Sequence, residues 1–431
     1  MAKAPGCSRG CTPRPDSGAQ RGSCPHHPRA GPRRPQRKAA EQAHRCGKLQ
    51  PMPRPGYDSV VLITGFPKFI ARKMLQHILA SEPRTLVVAV VLAKSSAQAS
   101  AERDALTAAD RERLVLLEGD VAAMDLGLSG AEFRQLAREV DRIHHLAHVG
   151  HAGADPRTAH AVNVVGTAEV IELARACTSL QCLVHQSTAF VAGDRTGMVY
   201  EDDLEAGQAF RNPVEETRMR AEVLVRRAMR HVPAAVVRPT TVVGDATTGE
   251  IDRLDGLYLL VLLIMAAPAD MAIPMPGRGD VPLNIVPIDH VVRATHAIGL
   301  SRLAPGRTLH VTDPHPLSAR RVFDLIARAS GRRAARGHIP SNLAKALLRT
   351  PGIERFVRSP RAFVEQLMTP VRYDARNADL VLSAAGIACP PFESYVDVLV
   401  GAVQERVRER RERQEIDIGA DAEPDIEDPL S

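Results

Sequence analysis

Val60-Val61-Leu62-Ile63-Thr64-Gly65-Phe66-Pro67-Lys68-Phe69-Ile70-Ala71-Arg72 is the stretch on which the fold turns. A continuous apolar run reads as a buried strand, Gly65 ends it, and from Phe69 to Ala80 the apolar positions recur at helical spacing. A strand that passes through a tight glycine turn into a helix brings backbone N–H groups to the helix start, where a pyrophosphate can be held. The pattern of such turns is GxxGxxG. Gly65 keeps its first place, Lys68 stands at the second, where a side chain crowds the phosphates, and Ala71 replaces the third mildly. Lys68 and Arg72 also have the reach to swing out and pair with a phosphate, and an ordinary strand-turn-helix stays open as the alternative.

Moving outward, short apolar runs alternate with longer periodic ones. Strands are expected at Leu86–Leu92, Leu114–Leu117, Ile143–Ala147, Leu183–His185 and Ala235–Val237. Near-continuous Val, Leu and Ile runs mark strands covered on both faces, so the fold class is α/β, a doubly wound parallel sheet with a smaller C-terminal substrate lobe. The dinucleotide core is expected over about 57–250 plus 284–313 and the lobe over about 251–283 and 314–415, together one domain spanning 57–415. No internal repeat is present.

The 431 residues are 44% hydrophobic, enough for a substantial core. Residues 1–56 hold 12 Lys and Arg against 2 Asp and Glu, leaving 44 against 48 elsewhere, so the net charge of +6 belongs to the head. That balance, with 3% aromatic residues, argues against nucleic-acid binding. The basic Pro- and Arg-rich head is expected to be disordered, or untranslated with a start at Met52, and residues 416–431, with six acids and no base, form an acidic disordered tail. Cys7, Cys11, Cys24 and His26 match no standard zinc spacing, so no metal is expected. Without a disulfide framework or a secretory signal, a cytoplasmic location is expected.

At the end of the second strand Leu92-Ala93-Lys94-Ser95 lacks the acid that would bind an adenosine ribose hydroxyl, which favours NADP over NAD, with Lys94 near the extra phosphate. A solvated loop lysine is the competing reading. Gly119-Asp120-Val121 follows the third strand, where such folds meet the adenine, with an exposed loop aspartate as the competing reading.

Further segments follow in order: Asp141-Arg142-Ile143-His144-His145-Leu146-Ala147, Asn163-Val164-Val165-Gly166-Thr167, Ser187-Thr188-Ala189-Phe190-Val191-Ala192-Gly193, Arg238-Pro239 and Asn284-Ile285-Val286-Pro287-Ile288-Asp289. The ordered set, from residue 59 to about 400, resembles the extended short-chain dehydrogenase/reductase family, which includes the NAD-dependent epimerases and dehydratases. Within it the chain looks most like the thioester reductase and fatty acyl-CoA reductase branch. The resemblance implies a Rossmann core, hydride transfer from a nicotinamide, and a cofactor set of Gly65, Lys68, Ala71, Arg72, Lys94, Asp120, Val121, Ala147 and Arg218. It also implies three catalytic places: a Ser or Thr bonded to the reacting oxygen, a Tyr that exchanges its proton, and a Lys four residues later that holds the ribose.

Thr188 matches the first place, Val214 stands at the Tyr position and Arg218 at the Lys position. A valine has no proton to exchange, so hydride-transfer chemistry is expected to be weakened, while the guanidinium can still fork onto ribose hydroxyls. Arg218 can equally be a helix arginine pairing with Glu215 or Glu222. His148 and His185 are candidates to relay the missing proton. A noncatalytic protein that binds a nucleotide, an acyl ligand or a protein partner is the alternative.

For the substrate side, the apolar run Leu257–Ala267 is too short to span a bilayer. It suits core packing, an acyl or carbonyl substrate pocket, or a homodimer face. Val396, Leu399, Val403 and Val407 mark one face of a late helix with a solvated extension.

Overall fold

The computed structural model describes residues 56–151, 153–254, 256–266, 275–276, 279–332, 338–339 and 369–420. The basic head with its cysteines, the Met52 leader and residues 421–431 lie outside the described residues.

Seven parallel strands form one sheet: β1 (Ser59–Thr64), β2 (Thr85–Val91), β3 (Leu114–Glu118), β4 (Arg142–His145), β5 (Cys182–Gln186), β6 (Ala234–Pro239) and β7 (Thr308–Val311). Their order across the sheet is β3-β2-β1-β4-β5-β6-β7. The direction of winding reverses between β1 and β4, where Thr64 is level with His145, and a crevice outside the strand ends is the expected consequence of such a reversal. The six expected strands are present with ends shifted by one or two residues. β7, Thr-Leu-His-Val, carried too short an apolar run to be read from the sequence.

Helix α1 (Phe69–Ser81) buries Ala71, Met74, Leu75, Ile78 and Leu79, the i, i+3, i+4 stripe that a sheet-facing helix needs. Three further helices cover the sheet: α2 (Ser96–Asp104), α3 (Gly130–Glu139) and α4 (Gly166–Ala176). α5 (Pro213–Ala228) leads into β6. α7 (Ile288–Leu300) packs Ile288 and Val292 into the core under β1 and β2.

The C-terminal part has a core of its own. α6 (Leu257–Ala266) packs Leu257, Leu260, Val261 and Ile264 with Val322, Phe323 and Ile326 of α8 (Ala319–Ala329) and Tyr395, Leu399 and Val403 around α10 (Val396–Ala420). Of the roles open to the 257–267 run, core packing is the one these contacts support. α9 (Arg376–Ala384) places Ala378, Val381 and Leu382 against the β6 and β7 edge. α10 runs to Ala420, five residues into the segment expected to be tail. Among the described residues no helix is long and apolar enough to cross a membrane.

Candidate functional site

The crevice at the winding reversal is shaped by close backbone approach. Gly65 has φ +89°, and a Cβ there would stand 2.8 Å from the Ala147 nitrogen, so the glycine turn after β1 and the loop after β4 touch only because no side chain intervenes. Thr64 and His145 lock the floor. The Thr167 hydroxyl donates to the Asn163 carbonyl at 2.6 Å, so it accepts from His145 Nε2 at 3.1 Å. His145 Nδ1 then accepts from the Thr64 hydroxyl at 2.8 Å, and that oxygen receives the Leu146 and Ala147 N–H groups at 3.2 and 3.1 Å. Every hydrogen has one place to go, and burial followed by the nearby His185 and Arg218 holds the imidazole neutral, its pKa well below the usual value.

The expected cofactor residues lie on several different elements. Ala71 is fully buried in α1. Lys68 sits at the N-cap of α1 without capping it, exposed, and its ammonium donates to the His148 carbonyl at 2.8 Å. Desolvation, then repulsion from Arg253, Lys94 and Arg218, lowers its pKa. Lys94 lies in a short turn after β2 and is exposed. Arg72 turns away from the glycine turn toward Glu250 at 2.5 Å and Glu102 at 3.5 Å. The exposed Asp120 caps its own turn by accepting from the Ala122 N–H at 2.9 Å, and Val121 packs beside Gly166.

The expected catalytic residues come from β5 and α5. Thr188 follows β5, and its hydroxyl oxygen accepts from the Phe190 N–H at 3.3 Å, leaving its own proton without an acceptor among the described residues. Asn212 caps α5 by accepting from the Val214 and Glu215 N–H groups at 3.1 and 3.0 Å, and Pro213 occupies the first turn, where its missing N–H costs nothing. Val214 is buried in an apolar cluster with Val149, Ala154 and Ala159. Arg218, one turn on, is 5% exposed and donates from Nη2 to the Gln186 carbonyl at 2.8 Å. Among the described residues its buried Nε has no partner. Burial brings its pKa down to about 10, with Glu222 opposing.

The local pairing expected for Arg218 is not formed. Glu215 is taken by Arg211 at 3.5 Å, and Glu222 is taken by Arg226 at 2.9 Å and by Arg238 at 2.7 Å. Ser187, directly before Thr188, also donates to Glu222, at 2.7 Å. Glu222 is the anchor of this region, a role that local spacing concealed.

A single turn of π-helix, Ala161–Val165, interrupts the helical segment ahead of α4 and carries Asn163 inward. Its amide accepts from the Val149 N–H at 2.8 Å and donates to the Val149 carbonyl at 3.2 Å and the Thr217 hydroxyl at 3.0 Å. The loop after β4 is thereby fixed to the first turns of α5. Of the two candidate relays, His148 donates from Nδ1 to the Leu146 carbonyl at 2.9 Å, which leaves Nε2 as an acceptor. Burial, then Arg218 and Lys68, holds its pKa well below the usual value. His185 is buried with neither ring nitrogen bonded, its rings 5.3 Å from those of His145, and burial brings its pKa down to about 3. Neither ring is a proton donor near neutral pH in this state.

A parallel sheet wound in this order, with a glycine turn at the reversal, defines a doubly wound Rossmann-like fold. The NAD-binding family described as male sterility protein matches residues 63–295, more than half of the chain, and the chain belongs to that family. It is 21% identical over 346 residues to the probable fatty acyl-CoA reductase 4 of Arabidopsis thaliana, covering 63% of this chain and 70% of the relative. It is 26% identical over 298 residues to a carboxylic acid reductase of Segniliparus rugosus, covering 61% of this chain but 25% of that longer protein. Among solved structures, the terminal R domain from the myxalamid PKS-NRPS biosynthetic pathway shares the fold with a TM-score of 0.67 at 22% identity, over 81% of this chain and 92% of that one.

Proposed function

We propose that the chain is an NADP-binding reductase-family protein for acyl or thioester substrates whose hydride-transfer chemistry is weakened by the Val214 and Arg218 replacements. The observation that carries this reading is the state of α5: a valine packed in an apolar cluster where the resemblance calls for a phenol, beside a buried arginine with one unused donor. The fit of a dinucleotide rests on the open α1 N-terminus, the level strand ends at Gly65 and Ala147, and the cations Lys68 and Lys94 on either side of β1 and β2. Lys94 without a neighbouring acid favours NADP over NAD. When bound, the cofactor supplies the hydride; the chain's own residues hold the substrate and the ribose and must place a proton on the reacting oxygen.

In this reading the free Thr188 proton is donated to the substrate carbonyl and the spare Arg218 Nε donor faces the ribose. What is missing is a group that gives its proton up. Positioned acid–base catalysis is worth roughly 10² to 10⁴ in rate, so a solvent proton would leave slow reduction. The competing reading, a noncatalytic nucleotide or acyl binder, is favoured by the absence of an ionisable hydrogen at Val214 and by the neutral state of His148.

Binding of NADPH and NADH, followed by nucleotide fluorescence, and reduction of an acyl-CoA thioester separate these readings in the wild type and in the Val214→Tyr/Arg218→Lys double variant. The expected outcome is tighter binding of NADPH than NADH by both proteins, with turnover rising by about 10² or more in the variant. Equal, rapid turnover by the wild type refutes the weakening, and failure of both proteins to bind either nucleotide refutes the reductase reading. A tyrosine at this buried place overpacks by about 1–3 kcal/mol, so thermal unfolding of the variant is measured alongside.

A further inference from the structure

Three cations near the start of α1 are treated differently. Arg72 is neutralised by Glu102 and Glu250, and Lys73 by Asp245 at 2.9 Å and Glu250 at 2.7 Å. Among the described residues Lys68 has only a neutral carbonyl, that of His148. It also stands among like charges from three other parts of the chain: Lys94 after β2, Arg218 on α5 and Arg253 ahead of α6. The acid that acts on it, Asp252, lies 3.7 Å from Arg253. Charges of one sign gathered from separate elements at the mouth of a crevice raise the local concentration of anions.

The position of the Lys68 bond is equally particular. Lys68 closes the glycine turn, its own N–H bonding the Gly65 carbonyl at 3.0 Å. Its ammonium reaches the His148 carbonyl in the loop after β4, which is the opposite wall of the crevice at the winding reversal. Glycine at this place would have no side chain to make this bond; here the lysine ties the glycine turn to the loop after β4.

We propose that Lys68 is both the gate and the anchor of the dinucleotide crevice, closing it through the His148 carbonyl and releasing that carbonyl to a phosphate oxygen of the entering nucleotide. This rests on the nucleotide-binding reading above and names the residue that controls it. The exchange runs in favour of the ligand, because a phosphate oxygen adds the attraction of opposite charges to a bond whose donor is already ionised. It also relieves the repulsion from Lys94, Arg218 and Arg253. A lysine serving only to staple two loops would show neither effect.

The test is the rate of NADPH association and dissociation with the full chain, by stopped-flow fluorescence, in the wild type, Lys68→Met and Lys68→Gly. The methionine variant keeps the stem and the backbone, so it carries the test even where the glycine variant fails to fold. Removing the gate is expected to raise the association rate about fivefold, and removing the anchor to raise the dissociation rate about fiftyfold, so that affinity falls roughly tenfold. Binding by Lys68→Gly alone overturns the proposal, because affinity would then rise rather than fall when the ammonium is removed. Association and dissociation rates within about twofold of wild type in both variants overturn the proposal and leave the nucleotide reading standing. Absence of binding in all three proteins overturns the nucleotide reading and the gate with it.

Discussion

The two ends of α5 are built in opposite ways. At its C-terminal half, Glu222 is completely partnered: Arg238 takes both of its oxygens at 2.7 and 2.9 Å, Arg226 one at 2.9 Å and Ser187 the other at 2.7 Å. Burial alone would raise the carboxyl pKa, but Arg238, then Arg226 and Ser187, hold it below the usual range. At the N-terminal half, Arg218 is equally buried, yet it makes one bond to a backbone carbonyl and keeps Nε without a partner. The knot that holds the fold has no donor to spare, while the place that the family resemblance assigns to chemistry has one in reserve. An unpartnered buried donor costs stability, and such costs gather where a ligand completes the bonding.

The largest test of this contrast is Glu222→Gln. It leaves Arg238, 1% exposed, without its counter-charge, and should cost about 3–5 kcal/mol in denaturant unfolding. A loss below about 1 kcal/mol would remove the distinction between the two ends.

A second complete knot sharpens the comparison at the opposite end of the sheet, beneath β4. Glu82 accepts from His296 at 2.6 Å, from Thr85 at 2.9 Å and from Arg142 on both oxygens. Burial pushes its pKa up, but His296, Arg142 and Thr85 prevail and bring it down to about 2. Its stabilisation is therefore fully present above about 4.5 and is lost as the pH falls toward about 2. His77, 4.7 Å from the His296 ring, is brought down to about 4, mainly by burial, so it too loses stability on acidification, between about 6.5 and 4. In acid unfolding, Glu82→Gln should retain the upper slope and lose the lower one; an unchanged profile would show that this carboxylate carries no linkage.

The smallest expected effect is the most telling. Arg218→Met removes a buried charge with a single bond and should change unfolding stability by no more than about 1 kcal/mol, because lost bonding and relieved desolvation offset. A loss equal to that of Glu222→Gln would place Arg218 in the structural network after all.

Much of this was legible in the chain. The six strands called from the sequence are buried runs of Val, Leu and Ile, and α1 shows its core stripe at 71, 74, 75, 78 and 79. The glycine turn at Gly65 also followed from the strand and helix on either side of it. β7 was not legible, because a four-residue strand containing His310 has no periodic signal; it is held by β6 and by Glu201, which accepts from the His310 N–H at 2.9 Å. Glu222 was legible only as a neighbour of Arg218 four residues away. Its partners Arg238 and Ser187 lie 16 and 35 residues off in sequence, beyond any local pattern.

By itself the sequence determined the buried strands of a doubly wound sheet and the glycine turn after β1, because apolar period and glycine tolerance are properties of residues and their spacing. Only the tertiary structure decided which charges meet. Arg72 and Lys68 are four residues apart and both cationic, yet one is neutralised by acids from α2 and the loop after β6 while the other is left across the crevice on a carbonyl. Coulomb energy depends on distance through space and on burial, and neither is written along the chain.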